Sequence, residues 1–234
     1  MGAGVIGPCV ATAMARQGRK VLIVERSWDE PDRIVGELLQ PGGMQALRAL
    51  GMIQAVNNIE AIEFHGYYIK FGGDALTISY PAKADVDSTV HPVPKCIENG
   101  NDKLLTDSTL DSKEWEAAEN VRGVAFHHGA FLMNLRNIAR SEPNVTALEG
   151  NVTSLAKDES GRVIGVTVKD SSSKKEETTY HVKLVFACDG IYFKFRKELC
   201  KNNAHSIGSL FFGIHMKDAT RLDEHMSEFQ SRCL

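Results

Sequence analysis

The residues of this chain whose types and spacing suit chemistry stand at its start. Gly2-Ala3-Gly4-Val5-Ile6-Gly7 is followed, about 20 residues past its first glycine, by Glu25 at the end of the apolar run Val21-Leu22-Ile23-Val24. In such a fingerprint Gly2 permits a tight turn, Gly4 lets a pyrophosphate approach the backbone, and Gly7 lets a helix pack close on a sheet. The phosphates then rest at the positive N-terminus of that helix, with Val5 and Ile6 in the loop. An acid at the position of Glu25 reaches a ribose hydroxyl and repels a 2′-phosphate, so the expected nucleotide is FAD or NAD rather than NADP. Asp189-Gly190, closing the apolar run 184–188, is a second candidate. Ligands of a nucleotide-binding sheet sit beyond its strand ends, although Asp-Gly is also an ordinary turn.

The elements that must hold these residues can be read around them. Pro8 suits a first helical turn and Gly18 is a helix stop, so a helix is expected between the glycine loop and a buried strand at 21–24. A strand should also precede the loop. Only Met1 does, so either the motif is an accident or the chain is a fragment of a longer one without its opening strand. Residues 29–43 read as a structured loop, and Pro41 opens a helix with Met44, Leu47 and Leu50 in the core and Gly51 as its stop. Residues 64–80 alternate as a hairpin around Gly72-Gly73-Asp74. Residues 81–119 are polar and acidic, a solvated insertion. A further helix carries Phe131, Leu135 and Ile138 on one face; Arg136 lies off that stripe, and spacing alone makes it a surface arginine. A meander follows at 152–155, 163–168 and 179–182, with a polar turn at 171–177, then a buried strand at 184–188. Residues 210–216 begin another strand, and the polar remainder gives it no partner, so the chain is expected to stop in mid-domain.

Composition narrows the class. A chain of 234 residues with 43% hydrophobic content can bury a core, and a net charge of −3 without a basic, aromatic-laced patch argues against nucleic acid. No apolar run is long enough for a spanning helix, and the start lacks the pattern of a signal peptide. Cys9, Cys96, Cys188, Cys200 and Cys233 have no CxxC spacing, which points to reduced thiols. His127 and His128 diverge on a helix, so no metal is expected. Asn144-Val145-Thr146 and Asn151-Val152-Thr153 read as coincidental sequons.

Together, the glycine loop, Glu25-Arg26, the run Pro31-Asp32-Arg33-Ile34-Val35-Gly36-Glu37-Leu38-Leu39-Gln40-Pro41-Gly42-Gly43, Ala125-Phe126-His127-His128-Gly129 and Cys188-Asp189-Gly190 closely resemble the squalene epoxidases (squalene monooxygenases), most like fungal forms. The Asp32 to Gly43 run is the specific part, and the other motifs are shared across FAD-dependent monooxygenases. The resemblance runs from Gly2 to about Met216 and marks the chain as an N-terminal fragment lacking the first strand and the C-terminal half.

That resemblance implies an interleaved α/β fold, a Rossmann-like FAD domain of the flavoprotein monooxygenase type with part of a β-rich substrate domain. Residues 1–63 and 122–200 would form the discontinuous FAD-binding domain, and 64–121 with 201–234 the partial substrate domain. It implies conversion of squalene to 2,3-oxidosqualene through a flavin C4a-hydroperoxide in sterol (ergosterol) biosynthesis. NADPH would supply electrons through NADPH-cytochrome P450 reductase, at the cytosolic face of the endoplasmic reticulum membrane. By position, Val5, Ile6, Glu25, Arg26, Arg33, Leu38, Arg136, Val152 and Asp189-Gly190 would lie at FAD, which makes Arg136 a cofactor residue rather than a surface one. Gln40 and Tyr67 would lie at the substrate and inhibitor pocket. Phe193 and Ala130 depart from the pattern, where the family has Ser and Arg. The membrane helices, a downstream Gly-Asp flavin motif and the rest of the squalene pocket are not in this sequence. A related flavoprotein hydroxylase or prenyl reductase, and a truncated non-catalytic FAD-binding fragment, are the alternatives.

Overall fold

The computed structural model describes residues 1–33, 37–71, 74–80, 122–170, 177–190, 194–195 and 226–231. The insertion at 81–119, the strand expected at 210–216, the turn at 171–176, the hairpin tip Gly72-Gly73, Ile34-Val35-Gly36 and Phe193 lie outside the described residues. In chain order the described elements are α1 (Ile6–Arg16), β1 (Val21–Glu25), β2 (Leu38–Leu39), α2 (Pro41–Ala49), a 3-10 turn (Ile53–Val56), β3 (Ile62–Phe64), β4 (Gly66–Phe71), β5 (Asp74–Ser79), β6 (Gly123–Ala125), α3 (His128–Ser141), β7 (Val145–Lys157), β8 (Val163–Asp170), β9 (Glu177–His181) and β10 (Met226–Ser231). They fall into two compact units, one of Met1–Pro31 with Leu132–Phe212, the other of Asp32–Phe131 with Gly213–Leu234.

In the first unit α1 begins one residue before Gly7 and ends ahead of Gly18, whose positive φ of 77° and N–H bond to the Ala15 carbonyl close the helix. The sheet order is β1-β7-β8-β9. Successive side chains of β1 point to opposite faces. Ile23 packs among Ala3, Ala11 and Ala139, while Val24 packs on Val166 and Val168. Small residues on α1 and α3 let the helices lie close to the sheet. The 13-residue β7 begins at Val145, earlier than the expected 152–155. Its first half runs parallel to β1, and its second half turns antiparallel to β8 with register shifts after Val152 and Ala156. One strand thus joins a parallel pairing to an antiparallel one within the sheet, which alternation at 152–155 alone does not reveal.

Residues 184–188 depart from the buried strand expected there. They form no ladder assigned as a strand, and Leu184 and Phe186 are 63% and 41% exposed. An apolar run of this kind becomes a buried strand only when a second strand pairs along it.

In the second unit β6 is the centre of a three-stranded sheet, with β2 and β3 antiparallel on its two edges. The two-residue strand β2 lies within what the sequence presents as a loop. Pro41 occupies the first turn of α2, Met44 and Leu47 are buried, and Gly51 follows the helix with φ 63°. The hairpin expected at 64–80 forms as β4 and β5 in register from Gly66↔Ser79 to Phe71↔Asp74. Within the polar tail β10 pairs in parallel along all of β4, while the strand expected at 210–216, to which the tail was expected to give no partner, lies outside the described residues. Backbone pairing along a hairpin edge requires no apolar pattern in the added strand.

Candidate functional site

The glycine loop in the first unit is shaped by backbone contacts. Gly2 has φ 88°, a conformation that favours glycine, and its N–H donates to the Val24 carbonyl at 2.8 Å. A Cβ there would stand 2.5 Å from the Cys188 carbonyl oxygen, and a Cβ on Gly7 would run into the carbonyl oxygen of Gly2. Gly4 differs, because a Cβ there meets nothing within 4 Å. The gap at Gly4 is therefore open to a ligand, as a pyrophosphate cradle requires. Val5 at the N-cap makes no side-chain cap bond, and the first turn of α1 holds no acid. The helix start therefore presents backbone N–H groups and a positive dipole end to an anion. Ile6 is 61% exposed beside it.

Two charged residues pin this loop. Glu25 Oε2 accepts the Ala3 N–H at 2.6 Å, and Oε1 accepts the N–H groups of Arg26 at 3.0 Å and Ser27 at 3.4 Å. Arg136 is only 4% exposed, which corrects the surface position that helical spacing gave it. Its Nε donates to the Ala3 carbonyl and its Nη1 to the Asp29 carbonyl, each at 2.9 Å, with the guanidinium 5.5 Å from the Trp28 ring centre. Burial lowers its proton affinity, and the nearby Glu25 and Asp29 oppose that shift. Ala3 is thus held through its N–H by Glu25 and through its carbonyl by Arg136.

Asp189 lies next to Cys188, which packs on Gly2, and its Oδ2 accepts the Lys194 N–H at 3.1 Å. Lys194 Nζ donates to the Val152 carbonyl at 3.0 Å, tying Val152 to the Asp189-Gly190 corner, where Gly190 has φ 74°. Gly2, Gly4, Val5, Ile6, Gly7, Glu25 and Arg136 are therefore gathered at one loop, with Asp189-Gly190 beside it. Arg26 is exposed at the end of β1.

Arg33, Leu38, Gln40 and Tyr67 belong to the second unit. Arg33 is exposed, and Leu38 is placed by its pairing with Ala125. Gln40 and Tyr67, 27 residues apart, meet: Gln40 Nε2 donates to the Tyr67 hydroxyl, and the Tyr80 hydroxyl donates to Gln40 Oε1 and lies 3.1 Å from that of Tyr67. Burial, then the bond to Tyr67, pushes the Tyr80 phenol well above the tyrosine range. Ala130 sits in the first turn of α3.

Sequence reasoning missed Tyr80, Trp28 and Lys194. Tyr80 had a signal. It continues the alternation of Leu76 and Ile78, and the Tyr67↔Ile78 pairing puts it diagonally across from Tyr67. Trp28 and Lys194 had none, because loops place them. Among the described residues no group of three His, Cys, Asp or Glu could hold a metal, and no helix is long and apolar enough to cross a membrane. Cys9 and Cys188 are free thiols, and burial pushes Cys9 up to about 11.

Solved structures of similar fold are flavoproteins. A probable FAD-dependent monooxygenase from Pseudomonas aeruginosa matches with a TM-score of 0.57 at 17% identity, over 87% of this chain and 45% of that one. The flavin-dependent halogenase CmlS matches with a TM-score of 0.60 at 22% identity, over 85% and 30%. The fold is the α/β FAD-binding fold of this flavoprotein class. By sequence the chain is 57% identical to a squalene epoxidase of Candida albicans and 52% identical to one of Saccharomyces cerevisiae, in each case over 94% of this chain. It is 37% identical to a squalene monooxygenase of Mus musculus over 97%. The squalene epoxidase family model matches residues 181–229. Over nearly its whole length the chain is similar to the squalene epoxidases, and it spans 44% of the length of the two yeast relatives.

Proposed function

We propose that this chain carries the FAD-binding part of a squalene monooxygenase, an enzyme that converts squalene to 2,3-oxidosqualene for sterol synthesis. The supporting observation is a loop whose Gly2 and Gly7 positions are filled by protein while Gly4 is left open, at an uncapped helix start. In this reading residues 1–63 and 122–200 serve the cofactor, and 64–121 with 201–234 the substrate.

The first N–H groups of α1, at Val5, Ile6 and Gly7, hold the pyrophosphate. Glu25 has roughly four lone-pair sites and gives three to backbone N–H groups, which leaves one for a ribose hydroxyl. Arg26 lies at the adenosine. Arg136 acts through Ala3, keeping the loop in its phosphate-binding shape. Asp189-Gly190, Val152, Arg33 and Leu38 complete the cofactor contacts on the family pattern, and Gln40 with Tyr67 faces the olefin. Bound FAD supplies the oxygen-activating chemistry, while the protein orients the two reactants and excludes water. NADPH through NADPH-cytochrome P450 reductase is the electron source, at the cytosolic face of the endoplasmic reticulum membrane.

Gly4→Val tests the cofactor site without disturbing the fold, because its side chain enters open space. FAD titration followed by flavin fluorescence should show affinity falling at least about tenfold, or 1.4 kcal/mol, with an unchanged thermal midpoint. Undiminished FAD binding by Gly4→Val would refute the site. Product analysis of the full-length protein with squalene, reductase and NADPH separates 2,3-oxidosqualene formation from the output of a prenyl reductase or another hydroxylase.

A further inference from the structure

The Gln40–Tyr67–Tyr80 cluster of the second unit closes on itself. The Gln40 amide donates from Nε2 to the Tyr67 hydroxyl and accepts at Oε1 from the Tyr80 hydroxyl, and the two hydroxyls stand 3.1 Å apart. A hydroxyl has a single proton to give. With the Tyr80 proton spent on Gln40, the contact between the hydroxyls uses the Tyr67 proton, and the three groups form a ring in which each donates and accepts. Reversed, with the amide turned over, the ring satisfies the same groups, so its closure does not depend on which end of the amide is nitrogen.

The neighbours hold this ring in place. The Tyr80 N–H donates to the His65 carbonyl at 2.7 Å. The buried Phe64 ring lies 6.4 Å from that of Tyr67 and 5.6 Å from that of Tyr80, and the two tyrosine rings meet edge to face at 5.7 Å. Burial, then the bond to Tyr67, pushes the Tyr80 phenol up, so its proton stays in the ring at neutral pH. Ile78 and Leu76, two and four residues before Tyr80 on the same side of the strand, are exposed. A self-paired polar cluster thus stands beside an apolar stretch of the hairpin.

We infer that Tyr80 is a specificity-determining residue: by closing the ring it keeps both ends of the Gln40 amide paired, and so favours a hydrocarbon terminus over an oxygenated one. This rests on the reading that Gln40 with Tyr67 faces the olefin, and adds to it a residue and a selection. A hydrocarbon has no donor or acceptor to offer, so any polar group left unpaired beneath it loses water without replacement. An epoxide or hydroxyl at the chain end can bond such a group. Without the Tyr80 hydroxyl, Gln40 can bond Tyr67 through its oxygen or through its N–H but not through both, and one end of the amide is left facing the chain. Because the reaction turns an olefin into an epoxide at this end, the ring also sets how weakly product is held.

The test uses Tyr80→Phe in the full-length protein with reductase and NADPH, reading the KM for squalene and the inhibition constant of added 2,3-oxidosqualene. In the variant the KM should rise and the inhibition constant fall, changing their ratio by about tenfold or more. A merely loosened fold weakens both ligands together and leaves the ratio as it was. In the parent the inhibition constant should exceed the KM, and a parent that holds the epoxide more tightly than squalene overturns the inference without any variant. An unchanged ratio in a Tyr80→Phe protein that turns squalene over also overturns it, and leaves the substrate reading standing. A parent that makes no 2,3-oxidosqualene sinks both.

Discussion

The glycine loop and the Gln40–Tyr67–Tyr80 cluster are both candidate sites, and they are built in opposite ways. The first is made of backbone: its shape comes from residues that lack side chains, and its charged groups, Glu25 and Arg136, spend their hydrogen bonds on the amide and carbonyl of Ala3. The second is made of side chains, three polar groups bonded to one another at the end of a hairpin. At Gly2 and Gly7 the backbone site admits no added side chain, because a peptide group cannot rotate away, and only Gly4 of the three stands open. A side-chain site can re-form around a lost hydroxyl.

Gly7→Ala should separate the two most strongly. Its methyl group enters the Gly2 carbonyl, and overpacking against backbone costs about 3 kcal/mol. Urea unfolding followed by hydrogen exchange should show protection lost in β1 and kept in β4 and β5. Arg136→Met comes next. It removes charged donors from the Ala3 and Asp29 carbonyls, at about 2–3 kcal/mol, with FAD binding lost in parallel. A variant as stable as the parent would mean that the loop holds its shape without the arginine.

Tyr80→Phe should cost only about 1 kcal/mol, measured by equilibrium denaturation, with protection in β1 unchanged. The Tyr80 acid is raised on folding, so the unfolded chain releases its proton first. The second unit should lose stability as pH climbs above 10, and Tyr80→Phe should remove that slope.

Much of the first site was legible because its information is local. The Gly2–Gly7 spacing, the Pro8 start, the Gly18 stop and Glu25 at the strand end lie within one short stretch, and each is a backbone requirement that names its own residue. The second site was legible only through a family pattern for Gln40 and Tyr67. Nothing in the spacing joins positions 40, 67 and 80 before β4 and β5 are paired. Residues 184–188 show the limit from the other side. Their apolar run reads as a buried strand, yet burial depends on a neighbour that the run itself does not encode.

By itself the sequence determined where α1, β1, α2 and the hairpin form, and it named Gly4 as the glycine whose backbone is left open. These follow from the conformational freedom of glycine, the restriction of proline and the periods of apolar residues. Only the tertiary structure decided that Arg136, off the apolar stripe of its helix, is buried against Ala3 and Trp28. It likewise decided that β7 pairs in parallel with β1 and antiparallel with β8, and that β10 adds to β4. Each depends on which distant backbone offers an unpaired carbonyl or N–H, a property of the assembled sheet rather than of any window of residues.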